Sequence, residues 1–317
     1  MSRRVLPVEP AWRLAAQPAE QRWLVTGLWA EQAVGIVGGE PKCCKSFLAL
    51  DIAVAVASGT ACLRQFAVPH PGRVLLYAAE DALHVVRQRL EGICAAAGCR
   101  LVDLDVQVIT APTLRLDLPA DRFALEGTVA ALRPRLLILD PFVRLHRIDE
   151  NASGDVAPLL AYLRGLQRRH ALAVLLVHHA RKSSGNLRAG QALRGSSEFH
   201  AWGDSNLYLR RAADLLSLTI EHRAAPSPPS LALELRADGD ALALRPAQPL
   251  TEPSPAPASV DERITAALLD AAGAMTVNDL RIQCRVRNAT LYERLAALTN
   301  AGRVQRTADG YRLARGN

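Results

Sequence analysis

Residues 33–57 read AVGIVGGEPKCCKSFLALDIAVAVA, and this stretch decides the fold. A short apolar run over residues 33–37 ends at a pair of glycines, and a polar loop then leads into a segment whose apolar residues have helical spacing. The order of strand, glycine-containing loop, Lys-Ser and helix is typical of a phosphate-binding loop. In such a loop the backbone N–H groups and the helix N-terminus together form a cradle for an anion.

The chemistry of nucleotide binding gives each part of the loop a task. Lys45 is expected to reach the β- and γ-phosphates of ATP or GTP, with ATP as the predicted cofactor, and the Ser46 hydroxyl is expected to hold Mg²⁺. The predicted nucleotide-binding residues are Gly39, Glu40, Pro41, Lys42, Cys43, Cys44, Lys45, Ser46 and Phe47.

Cys44 departs from the usual loop, which has glycine directly before the lysine. A Cβ at this position is tolerated if the backbone is helical, whereas a positive φ would cost about 1 kcal/mol or more. The helix N-terminus and two lysines are also expected to lower the pKa of the Cys43 and Cys44 thiols. Oxidation that blocks nucleotide binding is therefore a hypothesis.

The rest of residues 23–245 alternates between apolar strands and helical segments, which predicts an α/β fold with a mostly parallel sheet. The run LLILD places Asp140 at the end of a strand, where it would hold Mg²⁺ through water. Glu80 ends the strand RVLLYAAE and is the predicted general base. Alternatively Glu80 or Asp81, with Asp81 preferred, caps the helix that follows. The aspartate, the glutamate and the phosphate loop together predict an ATPase.

Composition narrows the range of partners and locations. The formal charge of +7 and the pI near 9.4 favour an anionic partner. No apolar run approaches the roughly 20 residues of a membrane span, and no signal peptide is evident, so a cytoplasmic location without membrane contact is expected. The six cysteines lack the spacing of zinc ligands or of a disulfide framework, which fits a reducing compartment.

The C-terminal residues 260–317 form a separate unit behind a proline-rich linker at 246–259, and residues 1–22 precede the main domain. Three amphipathic helices followed by two short strands predict a winged helix-turn-helix. Polar residues cluster at the start of the third helix, where such folds contact the major groove, and they make duplex DNA the predicted partner. Alternatively the helix is simply solvated or contacts protein. The predicted DNA-contacting residues are Arg285, Arg287, Asn288, Thr290 and Arg294.

Five segments in this order, GEPKCCKSFLALDIA, LLYAAEDALHVVRQRL, LLILDPFVRL, LLVHHARKS and GSSEFHAWGDSNLYL, resemble the RecA-like P-loop ATPases of the RepA type. Those ring-forming hexameric helicases are grouped with AAA_25, KaiC and DnaB, and the resemblance covers residues 23–245. It implies that Glu80 is the catalytic glutamate. It also implies that His178 or His179, with His178 preferred, senses the γ-phosphate.

The resemblance further implies a homo-oligomer, with a hexamer as the form that the family suggests, and an arginine finger supplied by the neighbouring subunit. Arg223 matches that finger, while Glu221 replaces its companion lysine. The loops over residues 142–154 and 181–197 would line a channel for single-stranded DNA. The basic residues of the second loop suit contact with a phosphate backbone, namely Arg181, Lys182, Arg188 and Arg194.

Two functions follow. The first is an ATP-driven ring that acts on DNA in the replication or maintenance of a plasmid, phage or mobile element. A helicase is the specific activity considered for this ring. The second is an ATP-gated DNA-binding switch or regulator that oligomerises on DNA without unwinding it.

Overall fold

The computed structural model describes residues 6–14, 22–179, 198–212, 215–239, 241–247, 260–271, 273–284 and 286–314. The chain divides into two compact units, Met1–Ala247 and Gln248–Asn317. Within the described part of the chain, every helix is too short or too polar to cross a membrane.

A nine-stranded sheet forms the centre of the first unit, in the order β11-β10-β9-β8-β3-β7-β6-β4-β5, and a separate two-stranded ribbon, β1-β2, precedes it. The strands are β1 (Trp23–Val25), β2 (Trp29–Ala30), β3 (Val34–Gly39), β4 (Val74–Ala78), β5 (Val106–Val108), β6 (Leu136–Asp140), β7 (Ala173–His179), β8 (Ser205–Ala212), β9 (Leu215–His222), β10 (Leu231–Asp238) and β11 (Ala241–Pro246). The strands from β3 to β8 pair in parallel, and β8 to β11 extend the sheet as antiparallel neighbours.

Helices cover both faces of the sheet because the central parallel strands are apolar on both sides. They are α1 (Lys45–Ser58), α2 (Leu83–Ala97), α3 (Pro119–Leu132), α4 (Ser153–His170) and α5 (Glu198–Trp202). One buried cluster joins the sheet to α1 and α2, and a second joins the opposite face to α3, α4 and α5. The predicted α/β class with a mostly parallel sheet is therefore confirmed.

Parallel pairing brings the ends of β3, β4, β6 and β7 to one edge of the sheet. Gly39 pairs with His179, and Ala78 pairs with Asp140. Each of these strands carries a polar or glycine-rich sequence just where it ends. The carboxyl edge of the sheet therefore collects the residues that the sequence marks for chemistry.

The second unit contains three helices and a two-stranded antiparallel hairpin. Its elements are α6 (Val260–Asp270), α7 (Val277–Cys284), α8 (Asn288–Asn300), β12 (Val304–Thr307) and β13 (Gly310–Leu313). Leucines of α7 and α8 pack with Ile264 in its core, and Met275 forms a bridge with Tyr311 of the hairpin. Thr276 caps α7, because its hydroxyl accepts the backbone N–H of Asp279 at 3.3 Å.

Candidate nucleotide site

The phosphate loop lies between β3 and α1, as its sequence predicts. At Gly39 the backbone passes so close to the neighbouring strand that a Cβ would lie 2.3 Å from the carbonyl oxygen of Leu209 and 2.7 Å from Cys43 Sγ. Lys45 is buried at the start of α1, and its Nζ donates to the carbonyl oxygen of Glu40 at 2.8 Å. The turn thus requires glycine at its entry and holds the lysine amine at its centre.

Cys44 adopts a left-handed backbone conformation, with φ 62° and ψ 27°. Lys42, two residues earlier, also has a positive φ of 63°. The sequence left the conformation at residue 44 open, and the structure selects the strained alternative. A non-glycine residue in this region costs about 1–2 kcal/mol, so the loop holds Cys44 in this conformation at the expense of stability.

The thiols of the loop are not activated. Burial raises the pKa of both Cys43 and Cys44, and it outweighs the lowering influence of Lys45. Cys43 Sγ is directed at the Glu40 carbonyl oxygen, 2.8 Å away. The expectation that the helix N-terminus and the lysines lower these pKa values is therefore wrong, because desolvation dominates.

Asp140 and Ser46 lie together in the site. Asp140 ends β6, is buried, and accepts a hydrogen bond from the Ser46 side chain. Burial raises the pKa of Asp140 to about 6, and the Asp81 and Glu80 carboxylates add to the rise, while the Ser46 hydrogen bond opposes it. Burial likewise lowers the pKa of Lys45.

Glu80 and Asp81 follow β4 and both line the pocket. Glu80 Oε1 accepts from Arg144 Nε at 2.8 Å. Asp81 forms an ion pair with Arg89 of α2. Ala82 is the residue at the N-cap of that helix and no side chain caps it, so the alternative that Glu80 or Asp81 caps the helix is wrong.

These groups surround one cavity of about 320 Å³. It combines ammonium and guanidinium groups, which suit phosphate, with carboxylate and hydroxyl oxygens, which Mg²⁺ prefers as ligands. These groups therefore fit a nucleoside triphosphate together with its metal ion. The lining residues are Lys42, Cys43, Cys44, Lys45, Ser46, Phe47, Glu80, Asp81, Arg89, Asp140, Val177 and His179.

The two histidines at the end of β7 lie on opposite faces of the sheet, because side chains alternate along a strand. His179 lines the cavity, and burial together with Lys45 lowers its pKa. His178 is buried on the other face, where its ring stacks on Phe199 with centroids 4.2 Å apart. The preference for His178 as the residue that faces the phosphates is therefore wrong in its geometry, and His179 takes that place.

Arg223 lies far from this cavity. Its backbone N–H donates to the Asp204 carbonyl oxygen at 2.9 Å, and the Asp204 N–H donates to Val34, the first residue of β3. The phosphate loop leaves β3 at its other end, five residues later, which is a distance of about 17 Å along a strand. Arg223 Nη1 lies 3.4 Å from Asp204 Oδ1, and Glu221 lies 3.5 Å from His200.

The described residues among those predicted to contact DNA divide into two groups. Arg287 and Asn288 are exposed at the start of α8 and Thr290 is partly exposed, whereas Arg294 forms a bidentate ion pair with Asp261 of α6. The structure thus gives Arg294 a partner within its own unit. The remaining residues lie outside the described residues, namely Arg181, Lys182, Arg188, Arg194 and Arg285.

Three arginines near the cavity were missed by the sequence analysis. Arg89 lies eight residues after Asp81, about two helical turns, and its guanidinium carbon is 5.2 Å from the Phe47 ring centroid. That spacing could have identified it. Arg211 donates to the Lys42 carbonyl oxygen at 3.2 Å, and Arg144 pairs with Glu80. Both contacts join residues that are distant in sequence, and no local pattern signals them.

Comparison with known proteins places this geometry in a family. A family model described as an AAA domain, AAA_25, matches residues 2–185, which is more than half of the chain. The structure is also similar to a solved ATPase domain, with 12% identity, a TM-score of 0.53 and coverage of 68% of this chain and 86% of that one.

Two further structures have the same fold. One is a DnaB-like replicative helicase, with 12% identity, a TM-score of 0.53 and coverage of 67% of this chain and 59% of that one. The other is the RadB recombinase, with 16% identity, a TM-score of 0.50 and coverage of 69% and 92%. The chain therefore belongs to the AAA_25 family of AAA domains, and its larger unit has the RecA-like fold of a P-loop ATPase.

Proposed function

We propose that this chain is an ATP-hydrolysing, DNA-associated protein of the RepA type, which forms a ring and acts in replication or maintenance of a plasmid, phage or mobile element. The observation that carries the proposal is the meeting of one buried lysine, one serine hydroxyl and three carboxylates in a single pocket at the end of a phosphate loop. Such a set suits phosphoryl transfer.

Within the pocket each residue has a distinct task. Lys45 would contact the β- and γ-phosphates, and Ser46 with Asp140 would hold Mg²⁺. The metal ion, when bound, neutralises charge that develops on the phosphate oxygens. Glu80 would orient the attacking water and accept its proton as the water oxygen bonds to the γ-phosphorus and ADP leaves.

His179 is proposed as the residue that senses the γ-phosphate, because it lines the cavity at the strand that lies beside β3. Its lowered pKa favours the neutral imidazole at neutral pH. A neutral ring can donate one hydrogen bond to a phosphate oxygen and lose it after hydrolysis. His178, stacked on Phe199, supports the strand from the other face.

Arg223 is proposed as an arginine finger for a neighbouring subunit. The side chain is more than half exposed, and it lies at the opposite edge of the sheet from the phosphate loop of its own chain. An arginine at this separation can serve a γ-phosphate only when it comes from another copy. This arrangement supports a homo-oligomer, with a hexameric ring as the proposed form.

Two surfaces are proposed to contact DNA. The second unit would act as a winged helix, with Arg287, Asn288 and Thr290 at the start of α8 directed to the major groove of a duplex. The loop after Asp140 carries exposed Arg144 and Arg147 and would contact the backbone of a single strand, with the loop 181–197 as its companion.

One experiment tests the function as a whole. ATP turnover is measured with and without single-stranded DNA, and strand displacement is followed on a forked duplex. The Lys45→Ala variant should lose nucleotide affinity by about 30-fold to 1,000-fold, because it removes a buried charged partner of the phosphates. Unchanged affinity in that variant, measured with a fluorescent ATP analogue, would sink the proposal.

A second function, an ATP-gated DNA-binding switch, is favoured by one observation. The resemblance to RepA-type ATPases implies a lysine at the position of Glu221, which lies beside His200 of its own chain at 3.5 Å. A carboxylate there contributes no positive charge to a neighbour's phosphates. Slow turnover with tight duplex binding and no unwinding would support the switch over the helicase.

A further inference from the structure

The proposed general base is held by a residue of the proposed DNA-contacting loop. Glu80 follows β4, and Arg144 lies in the short 3₁₀ turn Phe142–Arg144, which Pro141 separates from Asp140. Arg144 Nε donates to Glu80 Oε1 over 2.8 Å. The Arg144 guanidinium therefore connects the Glu80 carboxylate, which lines the pocket, to the loop that follows β6.

The surroundings of this ion pair make it easy to break. The Arg144 side chain is 62% exposed and that of Glu80 is 41% exposed. By contrast, Arg89 and Asp81, which line the pocket beside Glu80, are only 26% and 30% exposed. Exposed ion pairs contribute little net free energy and are screened by salt, so a competing polyanion can displace one partner.

The turn that carries Arg144 is itself firmly anchored. Phe142 is fully buried and packs edge-on against Phe199, with ring centroids 5.3 Å apart. His146, four residues further, is also buried against Phe142. Arg144 is thus an exposed side chain on a fixed backbone, and it can exchange partners by a change of rotamer alone.

We propose that Arg144 is a positioning residue that restrains Glu80 in the absence of DNA and releases it when nucleic-acid phosphates bind the guanidinium. This inference rests on the proposed function, in which Glu80 is the base and DNA is the partner. Recognition by Arg144 would be independent of base sequence, because phosphate contacts carry no sequence information directly. Hydrolysis would then proceed fastest on protein that is bound to a strand.

The test compares two arginines with the same local geometry. Arg87 Nε also lies 2.8 Å from a glutamate oxygen, Glu91 Oε1, but this exposed pair is on α2 and neither residue lines the pocket. Arg144→Gln and Arg87→Gln therefore remove equal charge and equal types of ion pair. The full chain is assayed for ATP turnover with and without an oligothymidylate, and for affinity to a fluorescent ATP analogue and to the oligonucleotide.

In Arg144→Gln, turnover without DNA should rise about twofold to fivefold, the range expected for loss of one exposed ion pair. Stimulation by DNA should fall correspondingly, affinity for DNA should weaken, and affinity for the nucleotide should stay at the parental value. Arg144→Lys should keep most of the stimulation because it keeps the charge. Arg87→Gln should match the parent in each measurement.

Three outcomes would overturn the inference. A fall in DNA-free turnover in Arg144→Gln would mean that Arg144 holds Glu80 in its productive position. Unchanged stimulation, or a parent that DNA does not stimulate, would mean that DNA does not act through this pair. Glu80→Gln distinguishes a failure of the proposed function from a failure of the restraint. If Glu80→Gln retains turnover, Glu80 is not the base. If Glu80→Gln abolishes turnover while Arg144→Gln behaves as the parent, only the restraint by Arg144 fails.

Discussion

Two polar clefts among the described residues of the larger unit are built in different ways. The pocket at the carboxyl edge of the sheet has a volume of about 320 Å³ and places buried Lys45 and Asp140 beside a strained loop. The groove at the opposite edge, around Arg223, has a volume of about 700 Å³ and is lined by partly exposed polar side chains such as His200 and Glu221.

This difference indicates which cleft is complete within one chain. The pocket holds cations for phosphate and oxygens for a metal ion, and it keeps them in place despite burial that opposes their charges. The groove offers an exposed arginine whose acidic neighbour is Asp204. The pocket therefore has the character of a preorganised site, whereas the groove, under the proposed function, serves the pocket of a neighbouring copy.

The largest effect is expected at the groove. Arg223→Ala should leave nucleotide affinity near the parental value and lower turnover by about 10³-fold or more, as the loss of an arginine finger does in related chemistry. Turnover is measured under saturating ATP, and affinity is measured by titration of a fluorescent analogue.

A mixing experiment shows whether the arginine acts between subunits. Arg223→Ala retains an intact pocket, and Glu80→Gln retains an intact arginine. A mixture of the two inactive variants should recover part of the parental turnover if pocket and arginine meet across an interface. A mixture that stays inactive, although the variants co-assemble, would contradict the comparison between the two clefts.

The second effect concerns the stability cost of the pocket. The native pKa of Asp140 is raised to about 6, so the folded protein is most stable, as far as this group is concerned, when the carboxyl is protonated. That contribution is present below about pH 4 and is lost as the pH rises through about 6. At pH 8, without nucleotide or metal, Asp140→Asn should increase the free energy of unfolding by up to about 3 kcal/mol.

The pH series supplies the control for this prediction. The gain from Asp140→Asn should shrink as the pH falls from 8 to 5, as followed by denaturant unfolding. Asp117→Asn should behave in the opposite way, because the hydrogen bond from Arg115 lowers the pKa of Asp117 to about 2 and that carboxylate stabilises the fold at pH 8. An Asp140→Asn variant that is less stable than the parent at pH 8 would show that the buried carboxylate is well compensated.

Much of the pocket could be predicted from the sequence because its residues follow local signals. Lys45 and Ser46 belong to a loop motif, Asp140 ends β6, and Glu80 follows the end of β4 at the same edge of the parallel sheet. The choice between His178 and His179 could not be made in this way. Since β7 is apolar on both faces, alternation does not reveal which side faces α1.

The contacts of Arg223 and of Arg144 could not be predicted from the sequence for a different reason. The contact between Arg223 and Asp204 depends on the antiparallel return of β9 beside β8, and the contact between Arg144 and Glu80 joins residues 64 positions apart. Each partner is an ordinary charged residue in sequence. Only the strand order brings them together, so their roles follow from topology and not from composition.

The smallest expected effect concerns the backbone strain at Cys44 in the phosphate loop. At φ 62°, Cys44→Gly should remove a left-handed penalty of about 1–2 kcal/mol, partly offset by the greater freedom that glycine has in the unfolded chain. A net gain of about 1 kcal/mol or less in the free energy of unfolding is expected. Cys44→Ala keeps the Cβ and removes the thiol, so it should stay close to the parent. Equal gains in both variants would show that the buried thiol, and not the backbone, is the source of the cost.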